Sequence, residues 1–203
     1  MRTLDPSVVL YITHPQVVVD ASIAVPDWSL SPIGEDRVAE LARRVATLQS
    51  SCKAAVITSA ERKAVETATP LATALGVDVE QRPSMHENDR SSTGFLPPAA
   101  FEAQADAFFA SPSQSVLGWE RAVDAQNRIL GEVLAAEQEY PDHALILCGH
   151  GAVGSLLYCA LAEVAIDRRW DQPAGGGGNW FAYDRQSRRV LGHWSPIECL
   201  FSG

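Results

Sequence analysis

Three unbroken apolar runs, each closing on polar residues, constrain this chain more than any other feature. They read VVLYIT (Val8–Thr13), AAVITS (Ala54–Ser59) and ALILCGH (Ala144–His150). A strand with one wet face alternates apolar and polar side chains. One that is apolar throughout is covered on both faces, as in a parallel sheet. Helical patterns separate the runs. In the stretch SPIGEDRVAELARRVATLQ, Ser31 is placed to cap a helix whose first position is Pro32. Val38, Leu41, Ala42, Val45 and Leu48 then recur at helical spacing. A second helix reads from Arg62 to Leu75, with Gly76 as its terminator. A third, amphipathic, reads from Glu120 to Glu139 ahead of Pro141, and GAVGSLLYCALA reads as another after the last run. Four glycines, Gly175 to Gly178, lead into NWFAYD and RRVLGHW, which read as a final hairpin; the glycines read as a flexible connection.

This β-α-β order predicts an α/β fold: a doubly wound, mostly parallel sheet flanked by helices, with ligands beyond the carboxyl ends of the strands. One domain is expected over residues 1–203. Residues 83–118 have proline pairs, serines and only a short possible helix at Ala99 to Phe109, so they read as a lid or insertion. A hydrophobic fraction of 46% and a charged fraction of 20% suit a globular chain with a full core. No apolar run approaches the ~20 residues of a membrane helix, and Asp5 and Pro6 stand where an export signal would be apolar. Cys52, Cys148, Cys159 and Cys199 lie far apart without metal-ligand spacing, as expected of reduced thiols in the cytoplasm, with no metal and no cofactor. The net charge of −9 argues against a nucleic-acid partner. It leaves room for a small anionic substrate, because a local pocket can oppose the global sign. The oligomeric state is left open.

The run ends carry the chemistry. His14 follows the first, His150 closes the third between two glycines, and Ser59 closes the second just before Glu61, Arg62 and Lys63. Histidines, cations and a helix N-terminus on one sheet edge describe a site for a phosphate dianion. Each residue also has an ordinary reading. His14 alone could be a polar strand terminus, Lys63 a solvated first-turn residue and Glu87 a plain loop carboxylate. His86 and His143 read as surface residues, and Trp180 and Trp194 as packing.

In order and spacing the segments resemble the histidine phosphatase superfamily, the phosphoglycerate mutase-like proteins. Thr13-His14-Pro15 stands where that family has Arg-His-Gly. Leu30 to Ala42 is similar to its LSxxGxxQAxxLA segment, Ser59 to Ala68 to SPxxRAxQTA, Gly118 to Arg128 to GES…R, and His150-Gly151 to the final His-Gly. The resemblance implies a three-layer sandwich and a phosphoric monoester hydrolase acting through a phosphohistidine at His14. It further implies His150 on a phosphoryl oxygen and a carboxylic acid in MHENDRSSTG, for which Glu87 is the choice and Asp89 the runner-up. Thr13 and Lys63 occupy the registers of the family's two arginines, so the forked donors are absent from both. The phosphate-binding set is then Thr13, Lys63, Arg62, Arg90 and Gly151, with Arg90 reaching in from the lid. The alternative is a weak or inactive member that binds a phosphorylated or other anionic ligand.

Overall fold

The computed structural model describes residues 3–48 and 52–201. In chain order the elements are β1 (Val8–Thr13), α1 (Pro32–Ala46), β2 (Lys53–Ser59), α2 (Arg62–Leu75), β3 (Val79–Arg82), α3 (Pro98–Ala110) and α4 (Ala122–Glu139). They continue with β4 (His143–Gly149), α5 (Gly151–Leu161), β5 (Asn179–Asp184) and β6 (Ser195–Pro196). The six strands form one sheet in the order β3-β2-β4-β1-β5-β6. The first four are parallel; β5 runs antiparallel to β1, and β6 to β5. The sheet is therefore mixed, with a parallel centre and an antiparallel edge.

The unbroken apolar runs have the predicted cause. Val9 and Tyr11 of β1, Ile57 of β2 and Leu145 and Leu147 of β4 join α4 and α5 in one core. Leu10, Ile12, Val56, Ile146 and Cys148 face the other way and meet Leu41, Val45, Ala68 and Leu71 of α1 and α2. Successive strand residues alternate sides, so a strand sandwiched between helices must be apolar at every position. The helix signals also hold. Ser31 Oγ accepts from Gly34 N, Pro32 opens α1, and Gly76 closes α2 at φ 68°.

Two expectations change. RRVLGHW forms the return arm of the hairpin only in part: Val190 bridges Tyr183, with Asp184 N donating to Arg189 O at 2.9 Å and Leu191 N to Ala182 O at 2.8 Å, and regular pairing with β5 resumes only at Ser195–Pro196. Trp194 turns inward against Phe181 and Tyr11, which takes that segment off the sheet edge. Residues 83–118 are also more than a loop, since Met85, Phe108 and Phe109 are buried in the core beside α4. Among the described residues, no helix is long and apolar enough to cross a membrane.

Candidate active site

Register places two histidines together. Thr13 pairs with Gly149 across β1 and β4, so the next residue of each strand, His14 and His150, leaves the sheet at the same carboxyl edge. Their ring centroids are 5.4 Å apart and the planes cross at 69°. Pro15 ends the ladder because it has no N–H to donate. His14 Nδ1 lies 2.8 Å from the Pro15 carbonyl. A carbonyl only accepts, so Nδ1 carries the hydrogen and Nε2 keeps its lone pair. Burial lowers the His14 pKa to about 4 against the pull of that carbonyl, and the Lys63 charge adds to the lowering. The ring is a neutral imidazole at neutral pH.

His150 is 0% exposed. The Tyr11 hydroxyl accepts from His150 N at 3.1 Å and donates to His150 O at 3.2 Å, clamping its backbone. In the sequence Tyr11 is marked only by being the one aromatic residue of β1. His150 Nε2 meets Ser59 Oγ at 2.9 Å and Glu61 Oε1 at 3.6 Å, while Nδ1 is buried without a partner among the described residues. Burial holds this ring's pKa well below the usual histidine value.

The cations are placed differently from expectation. Lys63 is buried, donates to Val25 O at 2.9 Å and forms an ion pair with Glu61. Burial opposes ionisation of Glu61, but the His150 ring, the Lys63 ammonium and the Glu87 amide outweigh it and hold the carboxyl at about 2. The Lys63 charge is thus already compensated. Arg62 is not brought to the site: its side chain is 58% exposed and pairs with Glu66 at 2.8 Å. One residue is about 100° of helix, so Arg62 and Lys63 of α2 face different ways. Thr13 is 0% exposed and does not offer its hydroxyl to the crevice. Its Oγ1 donates toward Gln172 Oε1 at 2.8 Å, lies 3.2 Å from Asn179 O and accepts from Asn179 N at 2.9 Å. Arg90 does face the site. Its guanidinium carbon lies 4.9 Å from the centre of the Phe101 ring, and it makes no hydrogen bond or ion pair among the described residues.

Glu87 sits over the start of α5. Its carboxyl accepts from Val153 N at 3.1 Å, Ala152 N at 3.4 Å and its neighbour Asn88 N at 3.2 Å. Burial raises its pKa, against Arg90, and nearby Glu61 adds to the rise. Arg128 holds the Glu87 loop, donating to Ser84 O and His86 O at 2.7 and 2.9 Å and pairing with Glu120 at 2.7 Å. Asp89, by contrast, is exposed, and hydrogen bonds from the Ser91 amide and hydroxyl lower its pKa, so it stays a carboxylate.

The glycine run is pinned. Gly178 N donates to His14 O at 2.9 Å, and Arg37 donates to Gly177 O and Gly178 O at 3.1 and 3.0 Å. Gly177 has φ 80°, and a Cβ there would stand 2.2 Å from His14 O. The run is a close-packed strap behind His14, and glycine is required because a side chain would displace the histidine's backbone. The strap, His14, Lys63, Glu87, Arg90, Gly151 and Gln172 line one cavity of about 620 Å³. A second cavity of about 750 Å³ shares Val25, Glu87, Asn88 and Arg90 with the first and extends past Ile23, Pro26 and Phe95. Among the described residues no cluster of three or more His, Cys, Asp or Glu side chains is placed to hold a metal ion.

The sequence model of the histidine phosphatase superfamily (branch 1) matches residues 19–193. That match begins downstream of His14, so it is independent of the altered Thr13-His14-Pro15 segment. No curated protein matches the sequence at a significant level. Among solved structures, Bacillus stearothermophilus YhfR is similar with a TM-score of 0.75 at 19% identity, covering 90% of this chain and 93% of that one. A mycobacterial glucosyl-3-phosphoglycerate phosphatase gives 0.69 at 20% identity, covering 93% and 96%. Entamoeba histolytica phosphoserine phosphatase in complex with 3-phosphoglyceric acid gives 0.71 at 14% identity, also covering 93% and 96%.

Proposed function

Because the chain belongs to the histidine phosphatase superfamily, we propose that it hydrolyses a small phosphoric monoester through a phosphohistidine at His14. The observation that carries this reading is the pairing of His14 with His150 at 5.4 Å, with His14 Nδ1 tied to a carbonyl and Nε2 left as the nucleophile. The Nε2 lone pair attacks phosphorus in line as the bond to the leaving oxygen breaks. Glu87, whose carboxyl burial favours in the neutral form, gives that oxygen its proton. In the second half, the Glu87 carboxylate takes a proton from water as the water oxygen attacks phosphorus. The P–N bond breaks, and inorganic phosphate leaves with the imidazole restored. His150 and the Arg90 guanidinium meet the charge on the non-bridging oxygens. Residues 83–118 serve as the lid, since they supply both Glu87 and Arg90. The cytoplasm suits the buried thiols of Cys148 and Cys159.

One observation favours the alternative of a weak catalyst or simple anion binder. Of the cations lining the His14 cavity, Lys63 is paired with Glu61, and Arg168 with Glu102 and Asp106, which leaves Arg90 as the uncompensated one among the described residues. Incubation with a 32P-labelled aryl monoester tests the choice. Acid-labile, base-stable label on wild type and none on His14→Ala, together with abolished turnover, is the expected result. Thermal stabilisation by phosphate without label or turnover would favour the binder.

A further inference from the structure

Resting on that reading, we propose that the carboxamide of Gln172 donates a hydrogen bond to a phosphoryl oxygen, in the role that an arginine at position 13 would otherwise fill, with Thr13 and Asn179 as the residues that aim it. Gln172 Oε1 accepts from Thr13 Oγ1 at 2.8 Å and from Asn179 Nδ2 at 3.0 Å. Both donors engage the same oxygen, which turns the NH₂ group the other way. Nε2 has no hydrogen-bond partner among the described residues. It lies against the first residue of α5, where a Cβ on Gly151 would stand 2.3 Å from it. Gln172 lines the cavity that holds His14, Glu87 and Arg90. An unused donor at a helix start, beside a histidine pair, is placed to bind an anion.

The chemistry of a threonine at this position fits. An arginine before His14 would bring its own charge and fork. Thr13 is too short to reach the crevice, but its hydroxyl can fix a carboxamide donated by another segment. That segment is itself held: Gln172 N donates to Asp171 Oδ1 at 2.8 Å, and Ser155 Oγ donates to the same atom at 2.7 Å. The carboxamide is neutral, so it binds a phosphoryl oxygen without the charge that an arginine adds. The site should therefore hold a dianion less tightly than an arginine pocket would, and Arg90 supplies the charge.

A tether between this loop and β1 is the ordinary role for Gln172, and the variants separate the two. Gln172→Glu keeps an oxygen for Thr13 and Asn179 and replaces the free NH₂ with a carboxylate oxygen. Its Kd for inorganic phosphate and for orthovanadate, read by calorimetry at pH 7.5, should rise at least ~30-fold, and kcat should fall by about 10- to 100-fold, with little change in Tm. Binding should recover at lower pH as the new carboxyl protonates. Thr13→Val should weaken phosphate binding several-fold, Thr13→Ser should restore it, and Thr13→Val should add little in a Gln172→Ala background, because the two act as one unit. Unchanged Kd in Gln172→Glu and Gln172→Ala, with only Tm lowered, overturns the assignment and leaves the phosphatase reading intact. Phosphate binding that depends on Gln172, in a wild type without turnover, supports the assignment and sinks the hydrolase. Failure of wild type to bind either anion overturns both.

Discussion

Glu87 and His14 share a pocket that pushes them in opposite directions. Burial lowers the His14 pKa to about 4 and raises that of Glu87, because it disfavours the charged form of each, cation in one case and anion in the other. A neutral imidazole and a neutral carboxyl, as the proposed mechanism requires, therefore coexist at mildly acidic pH. For an alkyl phosphate, kcat/KM should rise through about pH 4 and decline again as Glu87 ionises. Glu87→Gln should lose that decline and cost an alkyl ester far more than an activated aryl phosphate, whose leaving group needs no proton. Comparing the two proteins cancels the ester's own ionisation near ~6. Equal losses on both ester types would remove Glu87 from the acid role. Arg90 carries a second expectation at this scale. With Lys63 compensated, Arg90→Ala should cost about 2–4 kcal/mol of transition-state stabilisation, roughly 30- to 1,000-fold in kcat/KM on an aryl phosphate. Thr13→Arg should not rescue it, because Thr13 is 0% exposed and its space is filled by Gln172 and Asn179. Sequence alone named His14, His150, Glu87 and Arg90 from strand ends, motif order and charge. It could not show that Arg62 turns to Glu66 or that Lys63 is neutralised, since both depend on what a helix face meets.

Among the elements, the glycine strap departs most from its sequence appearance. A run of glycines reads as flexible because nothing local restrains it; here the restraint comes from His14, Gln16 and Arg37, far away in the chain. Gly177→Ala would add a Cβ 2.2 Å from His14 O at a φ of 80°, so it should lower stability by about 1–3 kcal/mol and activity with it. Gly175→Ala, at a φ of 136°, carries backbone strain of the same kind but meets nothing within 4 Å, so it should cost less stability and activity than Gly177→Ala. Chemical denaturation and aryl phosphate turnover of the pair check this, and equal effects would refute a packing role for the strap. The α5 start shows the same dependence on distant partners. Its N-cap residue, His150, makes no side-chain cap bond; the cap is the Glu87 carboxyl, 66 residues from Val153 in the chain. In the proposed reaction the acid that sheds a proton is thus also the group that caps α5, so one side chain would link catalysis to the packing of that helix.

For the molecule as a whole, keeping two histidines neutral ties stability to pH. Both fold with pKa values below the ordinary 6.5, so the unfolded chain binds more protons in that window. Stability is then full above about 6.5 and falls as pH drops toward 4. Glu61, lowered from 4.5 to about 2, adds a loss in the same direction at still lower pH. Urea unfolding should show a decrease of about 1–3 kcal/mol between about pH 7.5 and pH 5. His14→Gln should flatten part of that slope. A stability independent of pH over this range would contradict neutral, buried histidines.

The amino-acid sequence determined the three central strands, the main helices and the ends of α1 and α2, and which strand ends carry histidine. Those features rest on period, on Ser31, Pro32 and Gly76, and on runs apolar enough to be covered twice; all act over a few residues. Only the tertiary structure decided what the polar groups at those ends are used for. Thr13 finds Gln172 across 159 residues and Glu87 finds Val153 across 66. Whether a hydroxyl or a charge faces the substrate or a neighbour is set by such contacts, because a buried polar group must be satisfied by whatever the fold brings beside it.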